Sequence, residues 1–281
     1  DLRVATLPTV WGEKVVMRIL DNTTAMLKLS DLGFSDANYA RYSTSFIKPY
    51  GMILVTGPTG SGKSTTLYAT LNIVSRPEIN VITVEDPVEY RIAGINQVQT
   101  NPKAGLTFAR ALRSILRSDP DVVLIGEIRD HETAQIAIEA ALTGHLVLSS
   151  LHTNDAPSAI TRLTEMDIEP FLVGSALDCV VAQRLARRLC ERCKVPYAPE
   201  SFDLENLRVG INPAIMPIPT LFVPVGCTNC SNTGYRGRVA IHEVMAVSEE
   251  IERLAVSRAS SAEIGRVARE QGMITLREDG W

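Results

Sequence analysis

Nothing in the sequence approaches the ~18 consecutive apolar residues needed to cross a bilayer. Positive charge is not in excess either: 28 Lys and Arg stand against 32 Asp and Glu, a formal net charge of −4. That balance argues against a protein that mainly binds nucleic acid or an anionic membrane. Aromatic residues make up only 5% of the chain, and they form no stripe with basic residues of the kind that grips single strands. There is no internal repeat and no low-complexity tract. The expectation is a soluble protein whose membrane role, if it has one, comes through a partner.

What is present is ordinary in bulk and specific in detail. The 281 residues are 45% apolar and 21% charged, enough for one or two domains with a core that needs no disulfide staples. The sequence opens on Asp1 rather than Met and stops at Trp281, so a piece of a longer protein is expected. Short apolar runs at 52–56, 81–85, 122–126 and 146–150 end in turns or polar loops, with helical stretches between most of them. Such runs are what a parallel sheet buried on both faces produces. Strand alternating with helix predicts an α/β doubly wound fold, with ligands at the carboxyl ends of the strands. Residues 2–7 and 14–20 read as extended segments around a turn at 8–12, belonging to a larger sheet. Residues 21–48 read as a polar connector leading to a short helix. The stretch at 107–118 is amphipathic, with Arg110, Arg113 and Arg117 on one face, and a long helix is expected over 171–189. A proline-rich, loop-like insert follows (Pro196, Pro199, Pro213, Pro217, Pro219, Pro224), and from Ser248 the chain reads as helical and polar.

The strongest chemical signal is Gly57-Pro58-Thr59-Gly60-Ser61-Gly62-Lys63-Ser64-Thr65, a full match to G-x-x-x-x-G-K-[ST] between an apolar strand and a helix start. Its glycines let backbone N–H groups turn inward around phosphate oxygens, reinforced by the helix N-terminus. Lys63 is placed to reach the β- and γ-phosphates of ATP and Ser64 to ligate Mg²⁺. Residues 121–127 form an apolar strand ending in Glu127, where an acid orients Mg²⁺ in phosphate-loop enzymes; here it is Glu rather than the more usual Asp. Glu85, Asp86 and Glu89 crowd the end of another strand, which suits a general base for water attack but also fits a solvated acidic turn. His145 and His152 flank the fourth apolar run, either as site residues or as structural histidines. Cys190/Cys193 and Cys227/Cys230 each place two thiolates in one tight turn. Together they supply a closed, structural Zn²⁺ site; a redox CxxC is the alternative. Cys179, in an apolar stretch, reads as a small buried hydrophobe.

The ordered set GPTGSGKST, ITVEDPVEY, LIGEIRD and TGHLVLSSLHTND, joined to the four cysteines, resembles the secretion ATPases of type II secretion systems and type IV pilus assembly. The resemblance covers nearly the whole chain. It implies a RecA-like phosphate-loop core working as a ring-shaped, usually hexameric cytoplasmic motor docked on inner-membrane platform proteins. It divides the chain into the end of an N-terminal domain (1–24), a linker (25–48), the ATPase core (49–185), a zinc-binding tetracysteine element (186–240) and C-terminal helices (241–281). It assigns Glu85 as general base supported by Glu89, and Glu127 to Mg²⁺. Arg3 and Arg18 match arginines that reach ATP when the cleft closes, and Arg113 and Arg117 match arginines lining the nucleotide interface. ATP, Mg²⁺ and Zn²⁺ are the implied cofactors, and no nucleic-acid partner is expected. Two other classes stay open on these residues: a RecA-like nucleic-acid translocase, and an inactive nucleotide-gated interaction module.

Overall fold

A computed structural model describes residues 2–19, 27–197 and 220–281. Leu20 of the second extended segment, residues 21–26 of the expected connector, and Pro199, Pro213, Pro217 and Pro219 of the expected insert, lie outside the described residues. The chain opens with an antiparallel hairpin, β1 (Leu2–Thr9) and β2 (Gly12–Ile19). Its turn is confined to Val10 and Trp11, and its register sets Arg3 opposite Arg18. Helix α1 (Asp36–Phe46) starts at Ser35, whose hydroxyl accepts the Asn38 N–H and so satisfies a donor of the first turn. Within the stretch expected as a connector, Leu29, Leu32, Tyr42 and Phe46 are buried in the core. This segment packs rather than merely linking.

The remaining elements follow in order: β3 (Gly51–Thr56), α2 (Lys63–Val74), β4 (Val81–Glu85), β5 (Asn96–Gln99), α3 (Phe108–Ile115), β6 (Val122–Ile125), α4 (His131–Leu142), β7 (Leu146–Leu151), α5 (Pro157–Glu165), α6 (Pro170–Ala176), β8 (Leu177–Leu189), β9 (Val195–Tyr197), β10 (Leu221–Val223), β11 (Tyr235–Ala246), α7 (Glu249–Val256), α8 (Ser261–Glu270) and α9 (Leu276–Asp279). The seven-stranded sheet runs β11-β8-β3-β7-β6-β4-β5, and the pairs of β3 with β7 and β8, β4 with β5 and β6, and β6 with β7 are parallel. Along the central strands side chains alternate between two apolar layers, with a break in β8 where Leu177 and Cys179 straddle a register shift. Met52 and Leu54 face the layer built by α3 to α8, whereas Ile53 and Val55 face the layer built by α1 and α2. A strand buried on both faces has no polar face to show, which is why these segments read as unbroken apolar runs.

The long helix expected over 171–189 is not formed. The segment divides into the short α6 and the 13-residue strand β8. Cys179 and Val181 enter one apolar layer, Val180 and Ala182 the other. A continuous apolar run does not distinguish a buried helix from a buried strand; the free edge of β3 decides it, because β8 pairs there in parallel register.

The chain divides into two compact units: Asp1–Arg184 with Ile241–Trp281, and Leu185–Ala240. The second unit holds β9 and β10, a two-stranded antiparallel sheet, together with the four paired cysteines. Among its described residues only Cys190, Cys230, Gly234 and Ala240 are buried.

Candidate functional site

The loop joining β3 to α2 is built by its neighbours as much as by its own residues. Gly57 is the tightest point: a Cβ there would sit 2.5 Å from the Gln183 carbonyl oxygen and 2.6 Å from Ser61 Oγ, so no side chain fits. Gly62 adopts φ 90° immediately before the first turn of α2, a conformation that L side chains rarely take. Lys63 lies buried with its ammonium on the Gly57 and Pro58 carbonyls, at 2.9 and 3.3 Å. Burial pushes its pKa down, opposed by the charge of Glu127 and reinforced by Arg184. Ser61 Oγ is buried and has no hydrogen-bond partner among the described residues. A buried cation on carbonyls alone, beside an orphaned hydroxyl, is a cradle whose donors suit an anion with several oxygens. Pro58, Thr59, Gly60 and Ser64 are exposed at the mouth of this loop, with Thr65 half-buried.

The acids arrive from neighbouring strands. Glu127 follows β6, with one carboxylate oxygen 2.5 Å from Arg129 Nη2 and the other 3.5 Å from His152 Nε2. Its neighbour Asp130 caps α4, accepting the Thr133 N–H at 2.8 Å, so the turn carrying Glu127 is anchored. Glu85 closes β4, buried at 4% exposure. It accepts from Thr83 Oγ1 at 2.5 Å, from Gln97 Nε2 at 3.2 Å and from the Tyr68 hydroxyl. Gly126 brings the two acid-bearing strands close, since its N–H donates to the Val84 carbonyl at 2.8 Å and a Cβ on it would lie 3.4 Å from Glu85 Cα. Glu89 lies beyond Glu85, and its backbone N–H donates to Tyr68 Oη at 3.3 Å.

Two expected placements separate. His152 follows the carboxyl end of β7 and reaches Glu127. His145 precedes the amino end of the same strand, where its Nδ1 lies 2.9 Å from the Ala140 carbonyl oxygen. Seven residue steps at ~3.3 Å each put these histidines ~23 Å apart, so His145 finishes the α4–β7 turn and takes no part in the cradle. Arg113 and Arg117 line a cleft of ≈ 500 Å³ between α3 and α4, with His131 and Glu132. Arg113 pairs there with Glu132 at 2.6 Å. No hydrogen bond or ion pair links either arginine to residues 57–65 among the described residues. Arg3 and Arg18 face each other in backbone register on the hairpin.

Sequence reasoning missed several contributors. Arg184 Nη2 donates to the Asn154 carbonyl at 2.6 Å, and its Nη1 would meet a Gly57 Cβ at 3.2 Å. It went unread because β8 was expected to be helical. Thr56 and Thr153 share a 2.7 Å hydroxyl contact that ties the start of the phosphate loop to the loop after β7. Buried Glu243 accepts the Ala156 N–H at 2.8 Å and the Leu276 N–H at 3.2 Å, fixing the far end of that loop. None of these carries a sequence signal, because each acts only through a tertiary neighbour.

In the second unit the four thiolate positions converge. The Sγ atoms of Cys190, Cys193, Cys227 and Cys230 all lie within 4.8 Å of one another. The separations Cys190–Cys227, Cys193–Cys230 and Cys227–Cys230 are 3.9, 3.8 and 3.8 Å, too long for disulfides. A tetrahedron with Zn–S bonds of ~2.3 Å has edges of ~3.8 Å, so the donor set fits such an ion. Burial opposes the Cys230 thiolate, but the Cys227 and Gly234 N–H groups, each 3.2 Å from its sulfur, bring its pKa down to about 6.

Comparison with known proteins agrees along the whole chain. The family model described as "Type II/IV secretion system protein" matches residues 1–281. The type IV pilus assembly ATPase PilB of Thermus thermophilus is 54% identical over 280 residues, covering 100% of this chain and 31% of that protein. The type II secretion system protein E of Dickeya dadantii is 51% identical over 284 residues, covering 100% of this chain and 55% of that protein. The chain thus spans about half or less of the length of these curated relatives. The crystal structure of the pilus retraction motor PilT with bound ADP superposes with a TM-score of 0.65 at 26% identity, covering 99% of this chain and 72% of that one. With a glycine loop around a buried lysine, two strand-end carboxylates and a four-cysteine cluster, the match over every residue makes this chain a member of the type II/IV secretion system protein family.

Proposed function

We propose that this chain is the ATP-hydrolysing part of a mechanical motor that powers protein secretion or assembly of a type IV pilus or pseudopilus. The observation that carries the reading is the convergence of Lys63, Glu127 and Glu85 on the carboxyl ends of parallel strands in one sheet, beside a loop whose Gly57 leaves no room for a side chain. ATP phosphates sit on the N–H groups of residues 57–65, with Lys63 moving from its carbonyl partners to the β- and γ-phosphates. Ser64 and Glu127 would hold Mg²⁺, which would supply positive charge to the phosphate oxygens. Glu85 takes a proton from water as the water oxygen bonds to the γ-phosphorus. The bond from that phosphorus to the β–γ bridging oxygen breaks, releasing ADP and inorganic phosphate. Glu89 supports the loop of the base, and His152 orients Glu127.

In this reading residues 1–24 end an N-terminal domain, 25–48 connect it to the core while packing on it, and 49–185 form a RecA-like core. Residues 186–240 form a Zn²⁺-ordered element through Cys190, Cys193, Cys227 and Cys230, and 241–281 finish β11 and then run as the helices α7 to α9. Arg3 and Arg18 reach ATP on closure, while Arg113 and Arg117, which make no bond to their own phosphate loop, serve a neighbouring copy. The working form is a homo-oligomeric ring, a hexamer, on the cytoplasmic face of the inner membrane, held there by platform proteins. No helix among the described residues is long and apolar enough to cross a membrane, which is compatible with attachment through partners. The test is phosphate release with Mg-ATP by full-length wild type, Lys63→Ala and Glu127→Ala. The reading expects turnover only in wild type; equal rates in all three overturn it.

A further inference from the structure

We infer that Tyr68, together with Gln97, is a positioning residue for hydrolysis: it holds the Glu85 carboxylate at a fixed place relative to the phosphate loop. The inference rests on the reading of Glu85 as general base. Tyr68 is 2% exposed on α2, the helix that Lys63 and Ser64 begin. Its hydroxyl donates to Glu85 Oε2, while Gln97 and Thr83 hold Oε1. The same hydroxyl accepts the Glu89 N–H at 3.3 Å, and its ring stands edge-on to Tyr90 with centroids 6.0 Å apart. Gln97 Nε2 also donates to the Tyr90 carbonyl at 2.9 Å, and its Oε1 accepts the Ile92 N–H at 2.7 Å. One phenol and one amide therefore bind Glu85, Glu89, Tyr90 and Ile92 together at the end of β4.

A carboxylate offers about four acceptor positions, and three are taken here by neutral donors. The position left open is the one from which Glu85 can accept a proton from water, and Tyr68 decides which one that is. Burial, and then Glu85 itself, push the Tyr68 pKa up, so the phenol remains a donor throughout the range in which the enzyme works. The geometry also sets a distance. Tyr68 lies five residues beyond Lys63, or ~7.5 Å along the helix axis, so base and phosphate cradle are referenced to one rigid element. The Tyr68–Glu85 hydrogen bond ties the base on β4 to the helix that Lys63 begins, which favours an attacking water held in line. A purely structural tyrosine would satisfy the buried acid without affecting the chemistry.

The experiment is steady-state ATP hydrolysis by the full-length protein as wild type, Tyr68→Phe, Gln97→Leu, Glu85→Gln and the Tyr68→Phe/Glu85→Gln double variant. Affinity for a fluorescent non-hydrolysable ATP analogue and thermal midpoints are measured alongside. Tyr68→Phe is expected to lower kcat about tenfold, a part of the ~10²–10⁴ that a positioned base contributes, with KM and analogue affinity within about twofold of wild type. Gln97→Leu lowers kcat less, in the same pattern, and stands as the test if Tyr68→Phe does not fold. In the Glu85→Gln background the Tyr68→Phe change has no further effect, since residues acting as a unit are not additive. Wild-type kcat in Tyr68→Phe, or in Gln97→Leu should that be the folded variant, overturns the inference. So does a kcat loss matched by weaker analogue binding and a lower midpoint. If Glu85→Gln is dead while Tyr68→Phe is fully active, only the inference falls; if Glu85→Gln turns over normally, the reading of Glu85 as base falls first.

Discussion

The two units solve the problem of holding functional atoms in place by different physics. The first unit sets its acids and glycine loop on a sheet whose strands are buried on both faces, so apolar burial at roughly 25 cal/mol per Å² holds the site. The cysteine unit has almost nothing buried among its described residues except two of the thiols themselves, a glycine and Ala240. Its order is expected to come from a metal, as in small domains without a core of their own. Mutations that leave the apolar core alone should therefore spare the first unit's fold, and loss of one ion should undo the second.

Chelation is the most forceful way to break the comparison. Removing Zn²⁺ is expected to forfeit binding energy on the scale of the ~10–16 kcal/mol seen in zinc-finger peptides. Hydrogen exchange should then rise across 185–197 and 220–240 while amides of β3, β6 and β7 stay protected. Equal protection with and without chelator would show that the second unit has a core after all. Lys63→Ala acts on the other side: ATP turnover should fall by about 10²–10³, the loss typical of one aimed charge-stabilising donor, with zinc content unchanged.

A smaller effect distinguishes the units by pH. His242 is fully buried, stacked on Phe34 with ring centroids 3.7 Å apart, and neither ring nitrogen has a partner among the described residues. Burial lowers its pKa to about 4. Between the unfolded value of ~6.5 and about 4 the unfolded chain binds the proton and the folded one does not, so stability is complete above pH 6.5 and falls as the pH drops. Acidifying from pH 7 to 5 should cost the first unit about 2 kcal/mol through this residue. His242→Phe should remove that part of the slope in denaturant titrations; an unchanged slope would mean that the imidazole is hydrated or paired in solution. The smallest effect belongs to the exposed Arg113–Glu132 pair, where Arg113→Ala should change stability by under ~1 kcal/mol. A large loss of turnover in an assembled ring from the same variant would point to a role outside its own subunit.

Much of this was legible along the chain because its signals are local. The phosphate loop is a contiguous nine-residue motif, the parallel strands are contiguous apolar runs, and each cysteine pair sits in one turn. Glu85 and Glu127 were legible for a related reason: each closes an apolar run, and doubly wound sheets bind ligands there. His145 and His152 looked equivalent because both flank one strand, but a strand has two ends and only one of them faces the cradle. The segment 171–189 failed for a different reason. Ala, Leu, Gln and Arg favour a helix locally, and only the unpaired edge of β3 overrides them. With that strand misread, Arg184 was invisible.

The amino-acid sequence by itself determined which chemical groups this protein owns and where each begins: a glycine-rich loop, a lysine at a helix start, carboxylates at strand ends and four thiols in two turns. Local geometry suffices for these, because each needs only a few neighbouring φ/ψ values. The tertiary structure alone decided which groups meet. Tyr68 on Glu85, Arg184 beside Gly57, Thr153 on Thr56 and Cys190 near Cys227 are all contacts between elements distant in the chain. Such contacts are set by how the layers pack around the sheet, and no local propensity encodes them.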